Sequence, residues 1–125
     1  MTEIGYRREI IRRCKSVGTY RDEFKATIER LARLYVRAAR LERQFEETGG
    51  ASVVMYTNKS GAENPVKNPL LVALDDCYDR ILAHEREIGL TAASLKRIND
   101  KSLNKAAQSP LAAALQSIAA RSKDE

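Results

Sequence analysis

Between Tyr20 and Glu47 the residues Phe24, Ile28, Leu31, Tyr35, Ala38, Leu41 and Phe45 recur at spacings of three and four, the period of one apolar face of an α-helix. Gly18 before the run and Gly49-Gly50 after it mark its ends, because glycine accepts the left-handed conformation in which helices commonly stop. Thr19 is placed to cap the helix, and Asp22 and Glu23 suit its positive first turn. Such a helix is about 40 Å long. In a chain of 125 residues, the size of a single domain, that length leaves room for little except other helices laid along it. Composition agrees: aromatics are 6%, Trp is absent, and six Gly with three Pro are too few for a turn-rich β-sandwich.

Shorter segments surround this helix. Residues 3–15 carry a loose apolar stripe of Ile4, Ile10, Ile11 and Cys14 and read as a short basic helix. Ser52 to Thr57 is rich in β-formers, Asn58 to Gly61 is turn material, and Glu63 to Lys67 returns as an edge strand confined there by Pro65. A lone two-stranded ribbon is marginal in water, so this hairpin is expected to lean on something. Asn68 caps a second main helix with Pro69 in its first position, and Gly89-Leu90 closes it. Thr91 caps a short helix to about Lys101, and Pro110 to Arg121 forms an amphipathic stretch on Leu111, Leu115 and Ile118. The expected organisation is a basic N-terminal helix over 1–18, a helical core over 19–101 with a β-hairpin at about 52–67, and a C-terminal tail over 102–125. The fold class is all-α: an antiparallel helical hairpin with a small β-hairpin between its main helices and short flanking helices.

The net charge of +5 suits a polyanionic partner, and its distribution is more informative than its total. Arg7, Arg8, Arg12, Arg13, Lys15 and Arg21 crowd the first 21 residues, and Lys96, Arg97, Lys101 and Lys105 crowd residues 96–105. The first main helix spans about 28 positions and the second about 19. Paired antiparallel from the hairpin end, they leave the Tyr20–Ile28 end of the longer helix uncovered. Copies of the chain are expected to gather over it. Both short flanking helices attach at that end, so both basic clusters land at one pole, where Arg7, Arg8, Arg12, Arg13, Lys15, Lys96, Arg97, Lys101 and Lys105 are the candidate residues for binding a polyanion.

A second charged feature lies on the long helix. Arg30, Arg33, Arg37 and Arg40 form one stripe away from the apolar face. Glu29 is placed to pair with Arg33 at i, i+4, whereas Arg37 and Arg40 have no acidic neighbour three or four residues away. The stripe suits either the Asp75, Asp76 and Asp79 patch of a neighbouring copy or a phosphate-lined path. Arg33, Arg37, Arg40, Asp75, Asp76 and Asp79 are therefore the candidate oligomer interface. An exposed ion pair contributes only about 0–1 kcal/mol, so these charges would set register while buried apolar surface holds the assembly.

Signals for chemistry are poor. His84, the only histidine, lies between Ile81 and Ile88 on a helix and reads as a surface or packing residue. Gly49-Gly50 is followed by Ala51-Ser52 and not by the Lys-Ser/Thr of a nucleotide-phosphate cradle. Cys14 and Cys77 form neither a disulfide framework nor a zinc spacing. No catalytic residue, metal site or cofactor is expected. The apolar core of a signal peptide is missing from MTEIGYRREI, so the chain is expected to stay in the cytoplasm.

The order of elements, with RLARLYVRAARLERQFEETG in the first main helix and NPLLVALDDCYDRILAHEREIGLTAASLKR from the second onward, resembles the small subunit of phage terminase. The matching positions are Asn68-Pro69-Leu70 and Gly89-Leu90-Thr91-Ala92-Ala93-Ser94-Leu95; Ala92 stands where that family usually has Pro, and Leu95 where it often has Arg. The resemblance covers roughly residues 7–101. It implies a non-catalytic component of viral genome packaging: a ring homo-oligomer, a nonamer as the first guess, that binds double-stranded viral DNA in the infected host's cytoplasm. It also implies a large terminase subunit as partner, which supplies the ATPase and nuclease. The alternative is a helix-turn-helix transcription regulator, with Gly18 in the turn, although a helix so long and so apolar makes poor recognition material.

Overall fold

The computed structural model describes residues 1–101 together with Leu115 and Ile118. Helix α1 runs over Glu3–Val17, α2 over Lys25–Glu47 and α3 over Pro69–Glu87, with strands β1 (Val53–Thr57) and β2 (Glu63–Lys67) between the last two. A further helix, α4, covers residues 92–101. No helix among the described residues is long and apolar enough to cross a membrane. The tail helix expected over Pro110–Arg121 lies outside the described residues except at Leu115 and Ile118, which are helical and exposed.

The long helix starts later than its sequence pattern suggests. Gly18 turns left-handed at φ 78°, and the Thr19 N–H donates to the Cys14 carbonyl at 2.9 Å, closing α1. Thr19 thereby belongs to the end of α1 and caps nothing. One 3-10 turn over Asp22–Phe24 intervenes before α2 begins at Lys25. The 23 residues of α2 measure about 35 Å, only four residues longer than the 19 of α3.

This changes what covers the apolar face. Helix α2 is the central element, with α3 antiparallel along one flank and α1 along the other. Ile10 and Cys14 of α1 are fully buried in one cluster with Ile28, Leu31, Ala32 and Leu34 of α2 and with Cys77 and Ile81 of α3. The end of the long helix expected to lie bare is covered within one chain: Ile28 is 1% exposed. The tilted ring pair of Tyr6 and Tyr35, with centroids 5.5 Å apart, extends the α1–α2 contact. Exposed apolar surface lies elsewhere, on Val53, Met55 and Tyr56 of the hairpin and on Val72, Tyr78 and Leu82 of α3.

The hairpin pairs antiparallel, with Val54 opposite Val66 and Met55 opposite Pro65. Val54 and Val66 are half-buried, but the expectation that the ribbon leans on the helices holds only at its base. There Asn68 is 5% exposed; its Oδ1 accepts the Leu70 N–H at 3.0 Å while its Nδ2 donates to the Ala51 carbonyl at 2.9 Å. One side chain therefore caps α3 and ties down the root of the hairpin.

At the other end of α3, the Leu90 N–H donates to the Glu85 carbonyl at 2.9 Å across Gly89, whose φ is 73°. This is the six-to-one bond of a Schellman end. Thr91 and Ser94 then exchange backbone-to-hydroxyl bonds at 3.2 Å in a capping arrangement that starts α4.

A polar tie also links α2 and α3. The Tyr78 hydroxyl donates to Glu42 Oε1 at 2.6 Å, and this bond to a carboxylate pushes the phenol pKa up to about 12. Folding thus favours the neutral phenol. Its contribution is complete below the unfolded value of 10.0 and is lost as pH rises through about 12. Urea unfolding of the protein is expected to weaken across that window, and of a Tyr78→Phe variant to weaken less. Identical alkaline profiles for the two would show that the bond does not form in solution.

Candidate nucleic-acid interface

The C-terminal half of α1 and the start of α4 face each other. Arg12, Arg13 and Ser16 share a cleft of about 230 Å³ with Thr91, Ala92 and Leu95. Farther round the same end, Gly18, Thr19 and Arg21 share a second cleft with Ile98 and Asn99. The two basic segments, some 80 positions apart in sequence, therefore lie at one pole of the helical body. The contacts arise because Gly18 and Gly89 both end helices there, and Gly89 is packed against Thr19 and Ile98.

The candidate residues differ in how free they are, and of them Arg12, Arg13 and Arg21 line the two clefts. Arg13 is drawn inward: its guanidinium donates to the Tyr35 hydroxyl at 3.1 Å and pairs with Glu85 at 3.5 Å, linking all three long helices. Burial raises the pKa of Tyr35, and the nearby Glu85 carboxylate adds to it. Arg12 pairs with Glu9, and that hydrogen bond holds the Glu9 carboxyl below its usual range. Arg7 lies 3.7 Å from Glu29. Lys15 rests over the Tyr20 ring at 5.1 Å from its centroid and stays exposed. Arg8, Arg21, Lys96, Arg97 and Lys101 make no ion pair among the described residues; all are exposed. Lys105 lies outside the described residues.

The second charged set is also partly engaged. Glu29, placed by spacing for Arg33, takes Arg7 instead, and Arg33 pairs with Glu3 of α1 at 3.3 Å. Asp75 pairs with Lys67 at 2.8 Å and Asp76 with Arg80 at 3.1 Å. Arg37, Arg40 and Asp79 are exposed and have no ion pair among the described residues. Arg80 is not singled out by the sequence pattern and His84 reads there as a surface or packing residue, yet they join Arg30, Arg33 and Arg37 around one cleft. The signal is their own i, i+4 spacing, which has meaning only once α3 is phased against α2.

Cys14 and Cys77 are buried free thiols whose pKa values burial raises, and the Cys77 thiol donates to the Leu34 carbonyl at 3.5 Å. Among the described residues no group of three or more His, Cys, Asp or Glu side chains is arranged to hold a metal ion.

No curated protein and no solved structure matches the chain. A family model described as phage terminase, small subunit, matches residues 6–105, from the first turn of α1 through all the described residues of α4. Since that match takes in every helix and strand that builds the pole, the chain belongs to the phage terminase small-subunit family.

Proposed function

We propose that the protein is the non-catalytic adaptor of a phage packaging machine. In this reading it assembles as a ring of its own copies, binds double-stranded viral DNA in the host cytoplasm, and presents that DNA to the large ATPase–nuclease subunit. The family supports a part in phage DNA packaging. The observation that carries the DNA-binding reading is the convergence of α1, which carries the exposed Arg8 and Lys15, on α4, which carries the exposed Lys96, Arg97 and Lys101, with Arg21 in a cleft beside α4. Arg7, Arg12 and Arg13 contribute less, because carboxylates of the same chain already engage them. Among the described residues, the segments that carry these basic side chains hold no Asn/Gln or aromatic cluster suited to reading base edges, so in this reading phosphate contacts dominate binding.

Copies associate in this proposal through the exposed apolar residues of the hairpin and of α3, with Arg40 of one copy and Asp79 of the next setting register. The ring does not need α2 to find a cover, because α1 supplies it.

Light scattering on the purified protein, followed by titration with a DNA duplex across a salt series, tests the proposal. The expected outcome is a mass of several copies and an affinity that falls steeply and linearly in log–log form as salt rises. Replacing Arg8, Lys96, Arg97 and Lys101 with Gln is expected to lower the magnitude of that slope by about 3–4, near one per contact. A monomer at high concentration refutes the assembly, and an unchanged slope removes the pole from the DNA surface.

A further inference from the structure

A cleft of about 250 Å³ between α2 and α3 is lined by Arg30, Arg33, Leu34, Arg37, Arg80 and His84. Every lining side chain but one is a guanidinium or an imidazole. Arg30, Arg33 and Arg37 follow one another at three and four residues along α2, which spaces them about 4.5 and 6 Å apart along the helix axis. Arg80 and His84, one turn apart on α3, form the opposite wall. His84 Nδ1 lies 2.7 Å from the Arg80 carbonyl oxygen; in the tautomer where Nδ1 donates, Nε2 is left for other partners. Leu34 is 8% exposed and supplies an apolar floor.

Two carboxylates of the same chain reach this set. Glu3 pairs with Arg33 and Asp76 with Arg80, and in both pairs the side chains are about half exposed or more: 45% for Glu3, 62% for Arg33, 64% for Asp76 and 63% for Arg80. Pairs so exposed contribute little and exchange readily for a stronger anion. Arg30 and Arg37 have no carboxylate partner among the described residues. The cleft therefore gathers more cationic donors than its own chain satisfies, and guanidinium forks match phosphate oxygens two at a time.

The geometry points to this cleft as a second track for the phosphodiester backbone of DNA, separate from the pole formed by α1 and α4. The inference rests on the proposed DNA-binding function and adds a location to it. One observation favours phosphates over the carboxylates of a neighbouring copy. Asp75 and Asp76 are already bound to Lys67 and Arg80 of their own chain, which leaves Asp79 alone in the acidic patch. The cleft falls below the roughly 300 Å³ at which pockets begin to enclose whole small ligands, so it suits single anionic groups.

The test compares two variants with the unaltered protein, using a random-sequence DNA duplex across a salt series and light scattering on the same samples. The first variant, Arg30→Gln/Arg37→Gln/Arg80→Gln, removes exposed side chains only, and circular dichroism is expected to show the native helix content. Its affinity is expected to fall about tenfold or more at low salt and its log–log salt slope by about 3, with assembly mass unchanged. The second variant carries Arg8→Gln/Arg97→Gln/Lys101→Gln at the pole. Native affinity and slope in the cleft variant, beside losses in the pole variant, overturn the cleft and leave the proposed function standing. Losses in the cleft variant beside a native pole variant support the cleft and remove the pole from the DNA surface. A fall in mass with unchanged DNA affinity assigns the cleft to contacts between copies and overturns the inference.

Discussion

Replacing Ile10 with Ala is expected to destabilise the protein by about 2–5 kcal/mol, the range for a fully buried Ile or Leu cut back to Ala. Ile10 is 0% exposed and belongs to the cluster that joins α1 to Ile28 and Leu31 of α2. Its loss opens a cavity on the flank of α2 where the sequence pattern alone leaves the helix bare. The measurement is urea unfolding at several protein concentrations. If α1 covers α2 within one chain, the loss per mole is the same at every concentration. If a neighbouring copy provides the cover, the loss varies with concentration by mass action, and a core built within one chain is refuted. A variant as stable as the parent places Ile10 outside the core altogether.

Gly89→Ala is expected to cost about 2–5 kcal/mol, from about 1–2 for an L-residue held left-handed and about 1–3 for overpacking. The residue has φ 73°, and a Cβ there meets Thr19 Cγ2 at 2.8 Å and Ile98 Cδ1 at 2.9 Å. Ile98 can turn its end away; Thr19 is stiff, β-branched and 4% exposed. Gly18→Ala serves as the control, since Gly18 has φ 78° but nothing within 4 Å of the added atom. It is expected to cost about 1–2 kcal/mol from conformation alone. Equal losses in the two variants would show that the α1–α2 turn does not press on the α3–α4 turn. Because that contact holds the basic segments together, Gly89→Ala is also expected to weaken DNA binding more than Gly18→Ala does.

Much of the architecture was legible in local chemistry. Asn68 caps α3 with Pro69 in its first position, Gly89-Leu90 ends it by the six-to-one bond, and Thr91 starts α4. Glycines, caps and apolar periods act over a few residues, so they can be read without knowing what lies across the core. The family resemblance was carried by the same short signals and agrees with the family match over residues 6–105. The start of α2 was not legible because two local signals compete at Thr19. It can cap a helix after it or close one before it, and its backbone N–H goes to the Cys14 carbonyl of α1.

Which surfaces are covered and which charges are free depended on tertiary structure. Arg13 and Glu85 are 72 positions apart, and Arg33 and Glu3 are 30 apart; such pairs follow no spacing rule, because packing of α1 on α2 and of α2 on α3 brings them together. The same packing turns a bare apolar stripe into a core and adds Arg80 and His84 to the arginines of α2. Helical periodicity tells which face of each helix is apolar. Only the phase of one helix against another decides what that face meets.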